Sequence, residues 1–271
     1  MASRRAFTIS SIITFLLALI VVVLYNYFIT IKPDLIYVRF GLKPIPVTLM
    51  ICNVFVYFCI YKMHVYAILI GGSLMFCLLG DILLMFYVPP IPAYDNILFL
   101  IVGGISFFIG RGIMALAFGV YPYRNNRERC INIKIKKTVL IGNVSFIYTT
   151  GMIVYFILNM KGRLIIRILL PIYFFSMGFQ LFMSLLRIKG FKEETLRSQL
   201  LGSFGTILFT ISDSMLFWNI FIYPIPFGDI ISISMYWAGM FLITISIVRG
   251  KDYQTEKSGM TTYLPLTTNN Y

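Results

Sequence analysis

Two aspartates lie inside long apolar stretches, where a carboxylate is rarely found without a function. Asp81 follows Gly80 in the third such stretch, and Asp213 lies between Ser212 and Ser214 in the seventh. On insertion scales a carboxylate at the centre of a membrane helix costs about 2.5 to 3.5 kcal/mol, whereas one Leu, Ile or Phe returns only about 0.3 to 0.6 kcal/mol. Such residues usually mark a proton path, an ion site or a reaction centre.

A third ionisable residue, Arg111, lies in the middle of the fourth apolar stretch, between Gly110 and Gly112. The flanking glycines predict room for its guanidinium to reach a neighbouring helix. Because an isolated charge in lipid is costly, we expect Arg111 and the two aspartates to face one another. Two roles are open: Arg111 could hold an ionised aspartate inside a working site, or it could neutralise that aspartate and lock the bundle.

Both aspartates belong to helices with small or polar neighbours at helical spacing. On a 3.6-residue helix, Ser73 and Cys77 lie on the same face as Asp81 at four-residue steps. In the seventh stretch, Gly202 and Gly205 predict that a neighbouring backbone approaches closely.

Membrane-spanning helices must position these residues, because the chain has too little polar surface for a soluble protein. Its 271 residues are 59% hydrophobic and 12% charged, and the mean hydropathy is +0.87. We predict an all-α polytopic transmembrane bundle of about eight spans. Seven is the alternative, because only residues 62–64 separate the second span from the third. The spans are predicted near residues 8–30, 44–61, 65–88, 96–120, 138–158, 164–186, 199–222 and 228–248.

The loops predict how the bundle is oriented. Lys and Arg concentrate in the loops of one side, above all around residues 124–137 and 187–197, and this predicts that both termini are cytoplasmic. The first apolar stretch is longer than the apolar region of a secretory signal, so we expect an uncleaved first helix. Residues 1–250 are predicted to form one bundle and 251–271 a short polar cytoplasmic tail. In a eukaryote the expected location is the endoplasmic reticulum or another endomembrane.

Several classes of site are excluded or disfavoured. His64 is the only histidine, so neither a zinc site built from several histidines nor a Ser-His-Asp triad with a buried histidine is expected. Cys52, Cys59 and Cys77 fall within spans and Cys130 in a basic loop on the reducing side, which predicts no disulfide and no metal cluster. The net charge of +13 is spread over short loops and fits anionic lipid headgroups better than nucleic acid. No cofactor is expected.

An ordered set of motifs, from Lys43 to Val248, resembles the lysoplasmalogenase family of YhhN-like multi-pass membrane proteins. Any one of the motifs is weak, but their order and spacing together are specific. The set comprises Lys43-Pro44, Gly80-Asp-Ile-Leu-Leu-Met85, Ala117-Phe-Gly119, the run from Gly202 to Ser214, Asn219, and Tyr236 with Ala238.

The resemblance implies hydrolysis of the vinyl ether bond of lysoplasmalogens, which gives a fatty aldehyde and a glycerophosphocholine or glycerophosphoethanolamine. It implies Asp81 and Asp213 as the catalytic pair. The residues expected to contact the lysophospholipid substrate are Arg111, Lys43, Asn219 and Tyr236. Three positions depart from the family pattern: Arg111 stands where histidine is usual, Met114 where tyrosine is common, and Gly239 where glutamine is frequent.

The chemistry of the bond explains why two carboxyl groups would suffice. Protonation of the β-carbon of a vinyl ether generates an oxocarbenium-like cation, which water captures before the hemiacetal collapses. One protonated carboxyl group and one carboxylate can supply the acid and the anion, although the sequence does not assign the roles. Two alternatives stay open: a catalytically silent lipid-binding relative in which Arg111 locks the aspartates, and a proton-coupled carrier. The oligomeric state is left open.

Overall fold

The computed structural model describes residues 2–31, 38, 41–61, 64–86, 97–125, 135–160, 164–188 and 196–248, and this part of the chain consists of helices and the turns beside them, without strands. Eight helices are described in it. They are α1 (Ala2–Thr30), α2 (Ile45–Ile60), α3 (Val65–Met85), α4 (Ile97–Asn125), α5 (Ile135–Asn159), α6 (Leu164–Arg187), α7 (Leu196–Phe221) and α8 (Gly228–Ile245).

Seven of the eight helices are long and apolar enough to cross a membrane. The protein is therefore a multi-pass membrane protein, and the predicted all-α bundle is confirmed. The exception is α2, whose 16 residues extend over about 24 Å, less than the thickness of a hydrocarbon core. Pro44 immediately precedes α2, and extended backbone at Tyr61 ends it. The predicted second span is thus a shorter helix.

The tight connection between α2 and α3 is stabilised by the only histidine. The His64 ring accepts a hydrogen bond from the backbone N–H of Ala67 at 3.1 Å and so caps α3. Its Nε2 lies 2.8 Å from the Tyr57 hydroxyl on α2. His64 therefore has a structural role at this turn.

Several of the polar segments that carry the topology predictions lie outside the described residues. They include the basic loop with Cys130 and the tail 251–271. The cytoplasmic location of the termini and the division into bundle and tail therefore remain predictions.

Two glycines bring α7 and α8 into backbone contact. A Cβ atom added at Gly205 would lie 2.6 Å from the carbonyl oxygen of Gly239, and one added at Gly239 would lie 2.7 Å from the carbonyl oxygen of Gly205. The close approach predicted at Gly205 is present. Gly239, which departs from the pattern of the similar family, has a clear packing role because no larger residue fits there without displacing backbone.

Glycines also set the register between α3 and α4. A Cβ atom at Gly80 would lie 2.6 Å from the ring of Phe107 and 3.1 Å from the carbonyl oxygen of Gly103. This contact holds Asp81, the next residue of α3, at the depth of Phe107 within the bundle. Gly110 likewise faces α3, because its Cβ would lie 3.0 Å from Cys77 Sγ. Gly110 therefore serves helix packing and does not make room for the guanidinium of Arg111.

Candidate active site

A cavity of about 590 Å³ lies at one end of the bundle. Its walls come from the C-terminal parts of α1, α3 and α7 and the N-terminal parts of α4, α6 and α8. Its volume falls in the range of small-molecule sites, and most of the residues in its walls are apolar. Five of the six site residues predicted from the sequence line it: Lys43, Asp81, Asp213, Asn219 and Tyr236.

Asp213 forms a salt bridge with Arg111. The Arg111 Nη2 and Nε groups donate hydrogen bonds to Asp213 Oδ2 at 2.6 and 3.2 Å. The Tyr173 hydroxyl donates to the same oxygen at 2.5 Å. These three bonds converge on Oδ2, and the second carboxylate oxygen, Oδ1, takes part in none of them. The bond from the guanidinium has the length of a charge-assisted hydrogen bond.

Arg111 is fully buried and does not line the cavity. Its Nη1 donates to Gln180 Oε1 at 2.6 Å, and its Cζ lies 3.8 Å from the centroid of the Phe209 ring. Gln180 is oriented in turn by a contact of 3.2 Å from its Nε2 to Met114 Sδ. Each of the three guanidinium nitrogens therefore has a hydrogen-bond partner, and the group contacts Asp213 and not the cavity space. We call Arg111, Asp213, Tyr173, Gln180 and Phe209 the Arg111 cluster.

Asp81 has different surroundings. The Tyr236 hydroxyl donates to Asp81 Oδ2 at 2.8 Å, and Lys43 Nζ lies 4.0 Å from Asp81 Oδ1, at the outer limit of an ion pair. Below Asp81 on the same helix, Ser73 and Cys77 are fully buried, as their spacing predicts. The three ionisable residues were expected to face one another, and this expectation is confirmed in part. Arg111 contacts Asp213, and both aspartates line the same cavity.

The outer rim of the cavity holds a third acidic group that the sequence reasoning missed. Asn219 Nδ2 donates to Asp229 Oδ1 at 2.6 Å, while Asn219 Oδ1 accepts a hydrogen bond from the backbone N–H of Ile225 at 2.7 Å. Asp229 is exposed in the first turn of α8 and lines the cavity. The available signal was its position directly before the last apolar span.

The sequence reasoning also missed Tyr173 and Gln180. Both are buried residues of α6. They lie seven positions apart in the sequence and therefore share one helix face. Polar side chains at helical spacing in an apolar span were the available signal. It was overlooked because neither residue is charged.

A second buried arginine lies toward the other end of the bundle. Arg187 is the last residue of α6 and fully buried, although the sequence places it among the loop charges. Its Nη1 donates to the Tyr66 hydroxyl at 2.5 Å and its Nη2 to Ser198 Oγ at 3.2 Å. Its Cζ lies 4.2 Å from the Tyr66 ring centroid. Tyr66 also shares a hydrogen bond of 2.7 Å with Ser246. We call these four residues the Arg187 cluster.

Within the described part of the chain, no three His, Cys, Asp or Glu side chains are grouped closely enough to hold a metal ion. The cysteines described there, Cys52, Cys59 and Cys77, are free thiols. Cys130 lies outside this part. The groups of the cavity wall that carry the chemistry are therefore two carboxyl groups, the hydroxyls that bond to them, one ammonium group and the rim carboxylate.

Comparison with known proteins identifies three partial relatives. The chain is 38% identical over 54 residues to the lysoplasmalogenase TMEM86B of Mus musculus, 35% identical over 54 residues to that of Rattus norvegicus and 36% identical over 55 residues to that of Homo sapiens. Each match covers 20% of this chain and 24%, 23% and 24% of the respective relative. The chain thus spans about a quarter of the length of these relatives.

No solved structure matches the chain. The YhhN family profile, in contrast, matches residues 38–247. This range covers most of the chain, contains α2 to α8 and includes all six site residues predicted from the sequence. The chain therefore belongs to the YhhN family.

Proposed function

We propose that this protein hydrolyses the vinyl ether bond of lysoplasmalogens, releasing a fatty aldehyde and a glycerophospho-alcohol. Membership of the YhhN family and the partial similarity to proteins named lysoplasmalogenase support this reaction. The observation that carries the proposal is that two carboxyl groups with different partners line a single, largely apolar cavity. An acid and an anion facing one substrate are what the reaction needs.

Asp213 is the anion in this mechanism. Its salt bridge with Arg111 Nη2, at 2.6 Å, keeps it ionised, and the hydrogen bond from Tyr173 fixes its orientation. The oxygen that these bonds leave available stabilises the oxocarbenium-like cation and accepts a proton from the attacking water. Arg111 is then a positioning residue that acts through Asp213, and it does not bind the phosphate.

Asp81 is the acid. A buried carboxyl group without a guanidinium partner favours its neutral, protonated form. Asp81 transfers its proton to the β-carbon of the vinyl ether, and water adds to the neighbouring carbon. As the carbon–oxygen bond of the resulting hemiacetal breaks, Asp213 passes the proton it took from water to the leaving alcohol oxygen. The hemiacetal hydroxyl becomes the aldehyde carbonyl and returns its proton to Asp81. The sum is one vinyl ether and one water giving one aldehyde and one alcohol.

The polar groups nearer the rim bind the headgroup. Lys43, whose side chain is 16% exposed, supplies a positive charge for the phosphate. Asp229, oriented by Asn219, supplies a negative charge for a choline or ethanolamine group. One cation and one anion on the wall of the same cavity complement a zwitterionic headgroup.

The direct test is aldehyde release by the purified protein in liposomes that contain an alkenyl-lysophospholipid. We expect Asp81→Asn and Asp213→Asn each to abolish release, because the first removes the acid and the second removes the anion. The corresponding alkyl ether, which lacks the double bond, is the matched control and should not be cleaved by any variant. Aldehyde release that persists in either variant would refute the assignment.

A second candidate function is a catalytically silent lipid-binding relative, favoured by the salt bridge between Arg111 and Asp213. In this case the salt bridge with the guanidinium makes the carboxylate unavailable for the reaction. Arg111→His separates the two candidates, because histidine can exchange protons near neutral pH and arginine cannot. If only the variant releases aldehyde, the natural chain is the silent one.

A further inference from the structure

We propose that the cavity opens sideways into the membrane, through a gap between the N-terminal parts of α4 and α6, and that the hydrocarbon chain of the lysolipid occupies this gap. The inference rests on the proposed function, since it concerns the substrate of the same site. It adds the route by which the substrate arrives and the place where its chain remains during the reaction.

Three apolar side chains carry the inference, because each of them lines the cavity and is far more exposed than Phe107 and Leu170, which line the same cavity and are 7% and 5% exposed. Ile105 and Phe108 of α4 are 47% and 39% exposed, and Ile172 of α6 is 50% exposed. In a helix that crosses a membrane, the outer surface faces lipid. These residues therefore belong to the cavity and to the lipid-facing surface at once, as expected at the edges of a lateral opening.

The same two helices are in close contact further along, beyond the cavity. Gln180 of α6 bonds to Arg111 and lies 3.2 Å from Met114, both on α4. A Cβ atom added at Gly119 would lie 2.0 Å from Met183 Cε. The pair is thus tightly packed over one half of its length. The exposed cavity-lining residues all lie in the other half.

Pro171 provides a local reason for this change in packing. It lies within α6, directly before Ile172. Proline has no backbone N–H and crowds the carbonyl group four residues earlier, so helices bend at such positions. The packing between α6 and α4 therefore changes close to the proline, where α6 lacks one backbone N–H donor.

The depth of the gap fits the chemistry of the substrate. The packing of Gly80 against Phe107 and Gly103 places Asp81 level with the part of α4 that holds Ile105 and Phe108. Ile172 directly precedes Tyr173, which bonds to Asp213. The vinyl ether is the first bond of the hydrocarbon chain, so a chain whose reactive bond lies between the carboxyl groups must leave the site at that depth.

The size of the cavity leads to the same conclusion. A volume of about 590 Å³ suits a drug-sized ligand, and a long-chain lysophospholipid has more atoms than such a ligand. The cavity can hold the headgroup and the reactive bond, while the rest of the chain lies in lipid. Chain length should therefore have little effect on turnover.

The test narrows the gap with the variants Ile105→Trp and Ile172→Trp. Matched controls are Ile109→Trp and Ile168→Trp, on the same two helices, at positions that are 38% and 56% exposed but do not line the cavity. Each variant is assayed in liposomes with a long-chain alkenyl-lysophospholipid and in solution with a short-chain, water-soluble one. We expect the gap variants to lose about tenfold or more of kcat/KM on the long-chain substrate only, and the controls to keep wild-type values on both.

A binding measurement keeps the inference testable if no aldehyde is released. An alkyl-lysophospholipid with a photoreactive group in its chain should label α4 and α6 beside the gap, and the two gap variants should lose this labelling while the controls retain it. Labelling without hydrolysis would contradict the proposed reaction but support the lateral opening. Equal labelling and equal long-chain turnover in gap and control variants would overturn the opening itself.

Discussion

Two arginines are fully buried in this bundle, and their surroundings differ in a way that separates function from architecture. Arg111 bonds to a carboxylate that lines the cavity, whereas Arg187 bonds to the hydroxyls of Tyr66 and Ser198. Arg187 does not line the cavity. Both guanidinium groups also lie against aromatic rings, and this contact helps to offset the free-energy cost of removing the charge from water.

The comparison shows that a buried charge is not by itself evidence of a reaction centre. What distinguishes the Arg111 cluster is the cavity that its carboxylate faces, together with a second carboxyl group on the same wall. The Arg187 cluster contributes to holding α3, α6 and α7 together. Substitutions in the two clusters, at the helix contact between them and at the cavity rim should therefore have different consequences.

The largest effect is expected from Arg111→Met. Removing one partner of a buried ion pair leaves an uncompensated charge and costs about 3 to 5 kcal/mol of unfolding free energy. The double variant Arg111→Met with Asp213→Leu should recover most of that stability and remain inactive. Arg187→Met should lower stability but leave aldehyde release per folded molecule unchanged. The measurements are reversible unfolding in detergent and turnover on the folded fraction.

Gly239→Ala should have the next largest effect, because this glycine packs against Gly205 between the two clusters. The added Cβ would lie 2.7 Å from a backbone carbonyl oxygen, so α7 and α8 must separate, and overpacking of this kind costs about 1 to 3 kcal/mol. Gly112→Ala is the control, since a Cβ at Gly112 meets nothing within 4 Å. Equal thermal stability of these two variants would contradict the close contact.

Tyr173→Phe and Tyr66→Phe compare the two clusters by removing one hydroxyl from each. Tyr173 donates a hydrogen bond to an ionised carboxylate, a type of bond that contributes about 1.5 to 3 kcal/mol. Both variants should lose stability, but only Tyr173→Phe should slow turnover at saturating substrate. A fall in turnover of the folded Tyr66→Phe protein would show that the Arg187 cluster also affects the site.

The smallest effect is expected from Asp229→Asn at the exposed rim. An exposed ion pair contributes about 0.2 to 1 kcal/mol, so the affinity for zwitterionic lysolipids should fall by no more than about fivefold. Binding of an alkyl-lysophospholipid with an anionic headgroup should not weaken. Binding of both lipids is measured by titration, and an equal loss for the two would remove Asp229 from the proposed headgroup site.

Much of the bundle could be predicted because its physical signals are local. A run of apolar residues long enough to cross lipid is visible in the sequence, and so is an aspartate inside it. The second span was harder to predict, because a helix of 16 residues and a full crossing differ by a single turn. The described residues contain seven helices that are long and apolar enough to cross a membrane and one shorter apolar helix, so the two predicted counts differ only in the role of α2.

The partners of the predicted residues could not be deduced, because pairing depends on how distant helices pack. Arg111 was equally compatible with either aspartate, and its contact with Asp213 joins residues 102 apart in the chain. The helical spacing of Gln180 and Tyr173 is visible in the sequence, but their partners became identifiable only when α6 was placed against α4 and α7. Arg187 looked like a loop charge because its burial depends on hydroxyls from α3 and α7.

The separation of Arg111 and Asp213 has a consequence for biogenesis. Synthesis proceeds at about 5 to 20 residues per second, so the carboxylate leaves the ribosome roughly 5 to 20 s after the guanidinium. During that interval the fourth helix carries a cation whose counter-ion has not yet been made. The cost of placing that cation in the membrane is therefore offset by its ion pair only after the seventh helix has been made.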